Sequence, residues 1–228
     1  MLIFLDTQTT GLESTDKIIS IALMAILEDE TISKYDLVNE GKKIPSLASS
    51  INHITNEMIK DNVKLKESET YKFLLENNND ENILIGHNIK FDLEKLNSIG
   101  FFWEGKIIDT MRVTKHLIPE CEFFSLQFLR YELRIYKKEQ TAISTHNSQS
   151  DVIVIKNLYD YLKEMVIDGE MIELSSKKVL LEKLNFGKYN GRYIEDVVMS
   201  DRGYLEWFLG SATDLDDDLR YSVEYYMC

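Results

Sequence analysis

Residues 2–14 read LIFLDTQTTGLES. Four apolar residues, Leu2 to Leu5, lead into Asp6, and Gly11 then breaks the chain. An apolar run that alternates little predicts a central strand, Leu2 to Thr7, buried on both faces. Such a strand delivers Asp6 to a site at its end. Gln8 lies two residues on, on the same side of a strand as Asp6. A metal site would favour a second carboxylate at that place, and the chain carries an amide.

Working outward, Lys17 to Leu27 (KIISIALMAIL) predicts a second strand, and Thr31 to Val38 a third that closes a meander. Residues 41–50 contain Pro45 and several serines and read as loop. Thr55 to Asp61 predicts a short helix capped by Thr55 or Asn56. Glu67 to Glu76 predicts a longer helix, stopped by the polar run Asn77 to Asp80. Short strands are expected at Asn82 to Gly86 and Lys106 to Asp109, with helices at Phe91 to Ser98 and Ser125 to Arg134. In the latter, Leu126, Leu129 and Leu133 form one stripe. Gln149 to Val166 is the clearest amphipathic helix. Strands first, then helices mixed with strands, predict an α/β layer fold with a mixed sheet. Around residues 167–178 the pattern resets. A small hairpin or turn pair is expected within LNFGKYNGRYIEDV, followed by helices near 202–210 and 216–227.

A length of 228 residues suits one full domain plus a small appendage. The boundaries expected are 1–168 and 169–228, the second a small α+β extension. The formal net charge is −13. That argues against coating nucleic acid broadly, but not against gripping one short strand locally. No apolar run approaches a membrane span and no N-terminal signal pattern is present, so the expected location is cytoplasmic, with no membrane partner. Cys121 and Cys228 lie far apart, outside any C-x-x-C setting, and read as two reduced thiols.

Three segments place acids or a histidine at the ends of short buried elements. They are Asp6 with Gln8, then GHNIKFDLEKL (86–96) with Asp92, then HNSQSDVIVI (146–155) with His146 and Asp151. An acid beside an apolar run is expensive unless paired or bound to metal. Oxygen ligands of this kind suit Mg²⁺ or Mn²⁺. Three acids from separate segments could hold two such cations for phosphodiester hydrolysis, with His146 as proton acceptor near neutral pH. Taken singly, Asp92 reads equally well as a helix cap, whereas His146 alone is more often a solvated loop residue and Asp151 alone more often an N-terminal helix charge.

The order D-x-(Glu)-T-T-G-L, H-N-x-x-F-D and H-x-x-x-x-D resembles the DEDDh (DnaQ-like) 3′–5′ exonucleases over residues 1 to about 168. SINHITNEMIKD (50–61) is similar to the family's H-x-I-T-x-E-M segment, except that His53 and Ile54 are adjacent. The resemblance implies a ribonuclease H-like fold, a mixed sheet flanked by helices. It implies that Asp6 bridges two divalent cations, Mg²⁺ or Mn²⁺, that Asp151 binds the one that activates water, and that Asp92 supports the other. His146 would be the general base. Thr7, Thr9, Thr10, Gly11 and Leu12 would cradle the 3′-terminal nucleotide, with His53, Ile54, Thr55, Asn88 and Phe91 shaping its pocket. The substrates implied are single-stranded or frayed 3′ ends of DNA, with RNA also in the family's range, and the product a nucleoside monophosphate.

From about residue 170 the chain resembles the C-terminal extension of the exonuclease X-like branch, carried by FGKYNGRYIEDV, YLEWFL and DLDDDLRYSVEYY. Lys183, Lys188, Tyr189 and Arg192 suit strand gripping by charge and stacking. An equal reading makes the aromatics a small core and the lysines solvated surface.

Gln8 stands where the family carries Glu. It is nearly isosteric but uncharged, so cation affinity and water activation should both suffer. The change could be an isosteric substitution made to trap substrate, which the intactness of the other site residues favours. It could also be a natural variant with altered metal preference, or mark a pseudo-enzyme. The chain is therefore expected to be a metal-dependent 3′–5′ exonuclease impaired by Gln8. The rival is a non-catalytic 3′-end-binding module or polymerase-associated subunit, which would hold an oligonucleotide and release no mononucleotide.

Overall fold

The computed structural model describes residues 1–28, 30–139, 147–184, 186–211 and 216–228. They form two compact units, Met1–Ser175 and Ser176–Cys228.

The first unit is built on a five-stranded sheet of order β3-β2-β1-β4-β5. Its strands are β1 (Leu2–Thr9), β2 (Ile18–Ile26), β3 (Thr31–Leu37), β4 (Ile83–Gly86) and β5 (Lys106–Asp109). β1, β2 and β3 form the expected antiparallel meander, while β4 and β5 run parallel to β1. The β1–β4 ladder ends at Phe4 opposite Ile85. Beyond it, β1 continues to Thr9 paired with β2 alone. Asp6 and Gln8 therefore project from the one strand that outruns its parallel neighbour.

Alternation along β1 sorts its side chains between two cores. Ile3 and Leu5 pack with Tyr71 and Leu74 of α3 (Glu69–Glu76) and Ile89 and Leu96 of α4 (Ile89–Asn97). Phe4 faces the other side, toward Val113, Leu129 and the long helix Ser148–Lys163, where Tyr159 meets its ring edge-on at 5.4 Å. Each fully buried side chain of this size contributes about 1.5–3 kcal/mol. Two-sided burial is why these strands read as unbroken apolar runs.

The remaining helices of the first unit are α1 (Ser46–Asn52), α2 (Asn56–Ile59), α5 (Thr110–Leu117), α6 (Leu126–Glu132), α7 (Ser148–Lys163) and α8 (Asp168–Ser176). One expectation needs correction here. Residues 41–50 are not all loop, because a helix starts at Ser46 directly after Pro45. The pattern reset at residues 167–178 contains the division between the two units at Ser175 and Ser176, with α8 seating Met171 in the second core ahead of it. The Thr55 cap is as expected, its hydroxyl accepting from Met58 N at 3.4 Å. Cys121 and Cys228 are both free thiols.

The second unit has its own core of Leu184, Ile194, Val197, Leu205, Phe208, Leu219 and Val223. Its helices are α9 (Ile194–Ser211), interrupted by non-helical Asp201, and α10 (Asp217–Met227). The hairpin or turn pair expected there is, among the described residues, an antiparallel bridge, Lys183 to Tyr193, around a tight turn at Gly187–Tyr189.

Candidate active site

Three carboxylates converge beyond the end of β4, each from a different element. Asp6 shares the face of β1 that meets α7, by its alternation with Phe4. Asp92 sits in the first turn of α4, buried, on the opposite side of β1. Thr7, the residue that faces that side, fixes it: the Thr7 backbone N–H donates to Asp92 Oδ1 at 3.0 Å and the hydroxyl at 2.6 Å. Asp151 lies in the first turn of α7, also buried. Its Oδ1 accepts from Gln127 Nε2 at 2.8 Å.

Burial pushes all three carboxyls up. Asp6 rises well above the usual carboxylate range, first through burial and then through the charges of Asp92 and Asp151, opposed by the hydrogen bond from Gln8. Burial lifts Asp92 to about 7, against the two Thr7 bonds, and Asp109 adds to the rise. Asp151 reaches about 6 by burial, against Gln127 and the Arg130 charge. Dehydrated carboxylates that repel one another are a donor set that a hard divalent cation would stabilise, so the residues fit such an ion. Among the described residues, no three acidic, histidine or cysteine side chains draw close enough to enclose one ion. Gln8 Nε2 donates to Asp6 Oδ2 at 3.1 Å. The amide occupies an oxygen that a cation would use. His146 lies outside the described residues.

The loop after β1 is held from both sides. Thr9 Oγ1 donates to Gly11 O at 2.7 Å, and Thr10 Oγ1 to Asp16 Oδ1 at 2.7 Å. Asp16 also takes the Lys42 ammonium and the Glu13 N–H, and the Lys42 bond first, then that from Thr10, holds its carboxyl down at about 2. A Cβ on Gly11 would lie 2.5 Å from Asp16 Oδ2, so the loop requires glycine there. From α4, the buried Lys95 ammonium donates to the Leu12 and Glu13 carbonyls and lies over the Phe91 ring. Leu12 itself is 83% exposed at the loop's crest.

The other expected pocket residues reach the same end of the sheet. Asn52 Nδ2 donates to Thr9 O at 3.3 Å while its Oδ1 accepts from Ile54 N, tying residues 52–54 to the end of β1. His53 and Thr55 are exposed, and Ile54 is buried in a small core with Ile44 and Ile59. Asn88 adopts left-handed backbone (φ 59°), and its N–H donates to Asp109 Oδ1 at 3.0 Å.

Sequence reasoning missed Asp109, Gln127, Arg130, Asp16 and Lys95. Only Asp109, a polar residue ending an apolar run, carried a local signal. In the second unit, Phe186 and Tyr189 pack against the core while Lys183, Lys188 and Arg192 are exposed.

Residues 3–159 match the family model described as Exonuclease. The chain belongs to the exonuclease family. Residues 184–210 match the model described as Exodeoxyribonuclease X-like C-terminal. The chain is similar to Exodeoxyribonuclease 10 of Escherichia coli (strain K12), 24% identical over 100% of this chain and 99% of that one. It is 27% identical to DNA polymerase III subunit epsilon of Treponema pallidum, over 68% of this chain and 72% of that one. A solved structure, Exonuclease X in complex with 5′ overhanging duplex DNA, superposes with a TM-score of 0.63 at 20% identity, over 77% of this chain and 100% of that chain. The mixed sheet flanked by helices is thus the ribonuclease H-like exonuclease fold, as the resemblance implied.

Proposed function

We propose that the chain is a 3′–5′ exonuclease of the exonuclease X-like branch that takes single-stranded or frayed DNA 3′ ends, and RNA ends as a second substrate, and releases nucleoside monophosphates. The observation that carries this reading is that the charges of Asp92 and Asp151, from two further elements, are felt at Asp6, in a setting that raises all three carboxyls. The domain proposed for this work is residues 1–168, with 169–228 as its extension.

Two divalent cations, Mg²⁺ or Mn²⁺, would supply an activated water and charge compensation for the leaving oxygen. Asp6, Asp92, Asp151 and the Gln8 carbonyl oxygen would hold them. Everything else falls to this chain's residues. Thr7 and Gln127 fix the orientation of Asp92 and Asp151. The Thr9–Leu12 loop and residues 53–55, with Asn88 and Phe91, would position the terminal nucleotide, Leu12 against its base. His146 would take the proton from the attacking water. Among the described residues no helix is long and apolar enough to cross a membrane, and we place the protein in the cytoplasm.

The second reading, a 3′-end-binding module without turnover, draws on one observation: the Gln8 amide already satisfies Asp6. One experiment separates the two. End-labelled oligonucleotides of DNA and RNA are incubated with Mg²⁺ or Mn²⁺ and either the present chain or Gln8→Glu. Mononucleotide release at least ten times faster from Gln8→Glu is expected. Equal release would show that Gln8 does not impair the site. Binding by both forms with release from neither would establish the binding module.

A further inference from the structure

The unit Ser176–Cys228 carries features that the nuclease site does not use. Residues 177–192 read KKVLLEKLNFGKYNGR, five cations with Glu182 as the single acid, in a chain of net charge −13. The unit as a whole is acidic, with ten Asp and Glu against seven Lys and Arg, so the cations gathered in this stretch form a local basic site that suits an anionic partner. The aromatic residues beside it divide into two groups. Phe186 belongs to the core, stacked on Phe208 with centroids 4.4 Å apart. Tyr193 and Trp207 face solvent, at 48% and 63% exposure. Among the described residues, Trp207 is not one of the side chains that pack the core.

Cations lie on or beside these rings. Lys183 and Tyr193 are partners in the antiparallel bridge, and the Lys183 ammonium stands 4.7 Å from the Tyr193 centroid. The Lys188 ammonium stands 4.7 Å from the Tyr189 ring and 5.1 Å from the Tyr204 ring. Tyr204 in turn lies 6.0 Å from Trp207. The turn is pressed onto this group: Gly187 has φ +66°, and a Cβ there would sit 2.6 Å from Tyr204 Oη. Asp201 pairs with Lys188 at 2.9 Å and so offsets part of its charge. Lys183 and Arg192, both exposed, carry the rest.

We infer that this unit bears a second nucleic-acid surface, which binds an unpaired DNA strand without sequence preference. Bases would stack on Trp207 and Tyr193, and phosphates would meet Lys183, Lys188 and Arg192. Every base has a π-face, so stacking of this kind tolerates any sequence and is worth about 1–3 kcal/mol per base. The strand is the substrate class of the proposed nuclease, so the inference rests on that reading for its biological sense. Its physical test is separate.

The chain has two tryptophans, Trp103 and Trp207. In the full chain carrying Trp103→Phe, with EDTA present to prevent hydrolysis, a twenty-nucleotide thymidine strand is titrated in. Saturable quenching of Trp207 fluorescence that salt reverses is expected. In chains that keep Trp103, Trp207→Ala should weaken binding of the labelled strand at least five-fold at an unchanged melting temperature. Lys183→Ala with Arg192→Ala should lower the slope of log affinity against log salt by roughly 1.4, at about 0.7 per phosphate contact. Absence of quenching, with unchanged affinity in both variants, would overturn the inference and leave the surface to a protein partner. Quenching in a chain whose Gln8→Glu form releases no mononucleotide would uphold the surface and remove the nuclease.

Discussion

At the scale of single residues, the second ring around Asp151 decides more than its composition suggests. Gln127 donates to Asp151 through Nε2 and accepts from Arg130 Nη1 through Oε1, at 3.2 Å. Arg130 is itself held by Glu139 at 2.7 and 2.5 Å, and both members of that ion pair are buried. The amide therefore cannot turn over without losing both partners, and Asp151 is presented in one orientation. Removing the two links should have different effects. Arg130→Ala leaves the Glu139 charge buried and unpaired and should lower unfolding stability by about 3–5 kcal/mol in denaturant titration. Gln127→Leu keeps the volume and the ion pair. Stability should change by about 1 kcal/mol or less, while Mn²⁺ affinity measured by calorimetry falls roughly ten-fold. Unchanged Mn²⁺ affinity would show that Gln127 only packs.

At the scale of elements, Asp109 joins three of them. It ends β5, caps α5 by accepting from the Met111 and Arg112 N–H groups at 3.0 and 3.4 Å, and accepts from Asn88 N ahead of α4. Asp109→Ala should cost about 2 kcal/mol in denaturant titration, more than a solvent-exposed cap, because the Asn88 N–H loses its partner as well. A loss under about 0.5 kcal/mol would exclude this shared role. The elements legible in the sequence are those whose apolar runs end in a marker. β1 ends in the Asp6 segment, β4 at Gly86, β5 at Asp109, and the inner face of α7 follows Asp151. α5 was not legible because two of its buried positions are hydroxyls: Thr110 donates to Gly86 O and Thr114 to Thr110 O. α8 was not legible because it is anchored chiefly by Met171 in a distant core. The acids could be read because each borders an apolar run. Lys95 and Gln127 could not, since their partners lie 82 to 83 and 24 residues away and leave no local mark.

At the scale of the whole molecule, three raised carboxyls make stability depend on pH. The folded form of each binds its proton more tightly than the unfolded chain does. Their contribution is thus fully present below the ordinary carboxylate value of 3.8 and is lost as pH rises through about 6 for Asp151 and about 7 for Asp92. In EDTA the melting temperature of the first unit should fall by roughly 5 °C or more between pH 5 and pH 8, and Mn²⁺ should recover much of the loss at pH 8. A flat profile in EDTA would show that the three carboxyls are not burdened by burial. Positions 6, 92 and 151 also fix when the site can exist. A ribosome makes the chain from its N-terminus, and Asp151 belongs to a helix that reaches Lys163. Until that helix has emerged and docked on β1, the growing polypeptide holds an incomplete carboxylate set. The set is thus a property of the whole first unit, and no fragment of it that stops short of α7 carries all three acids.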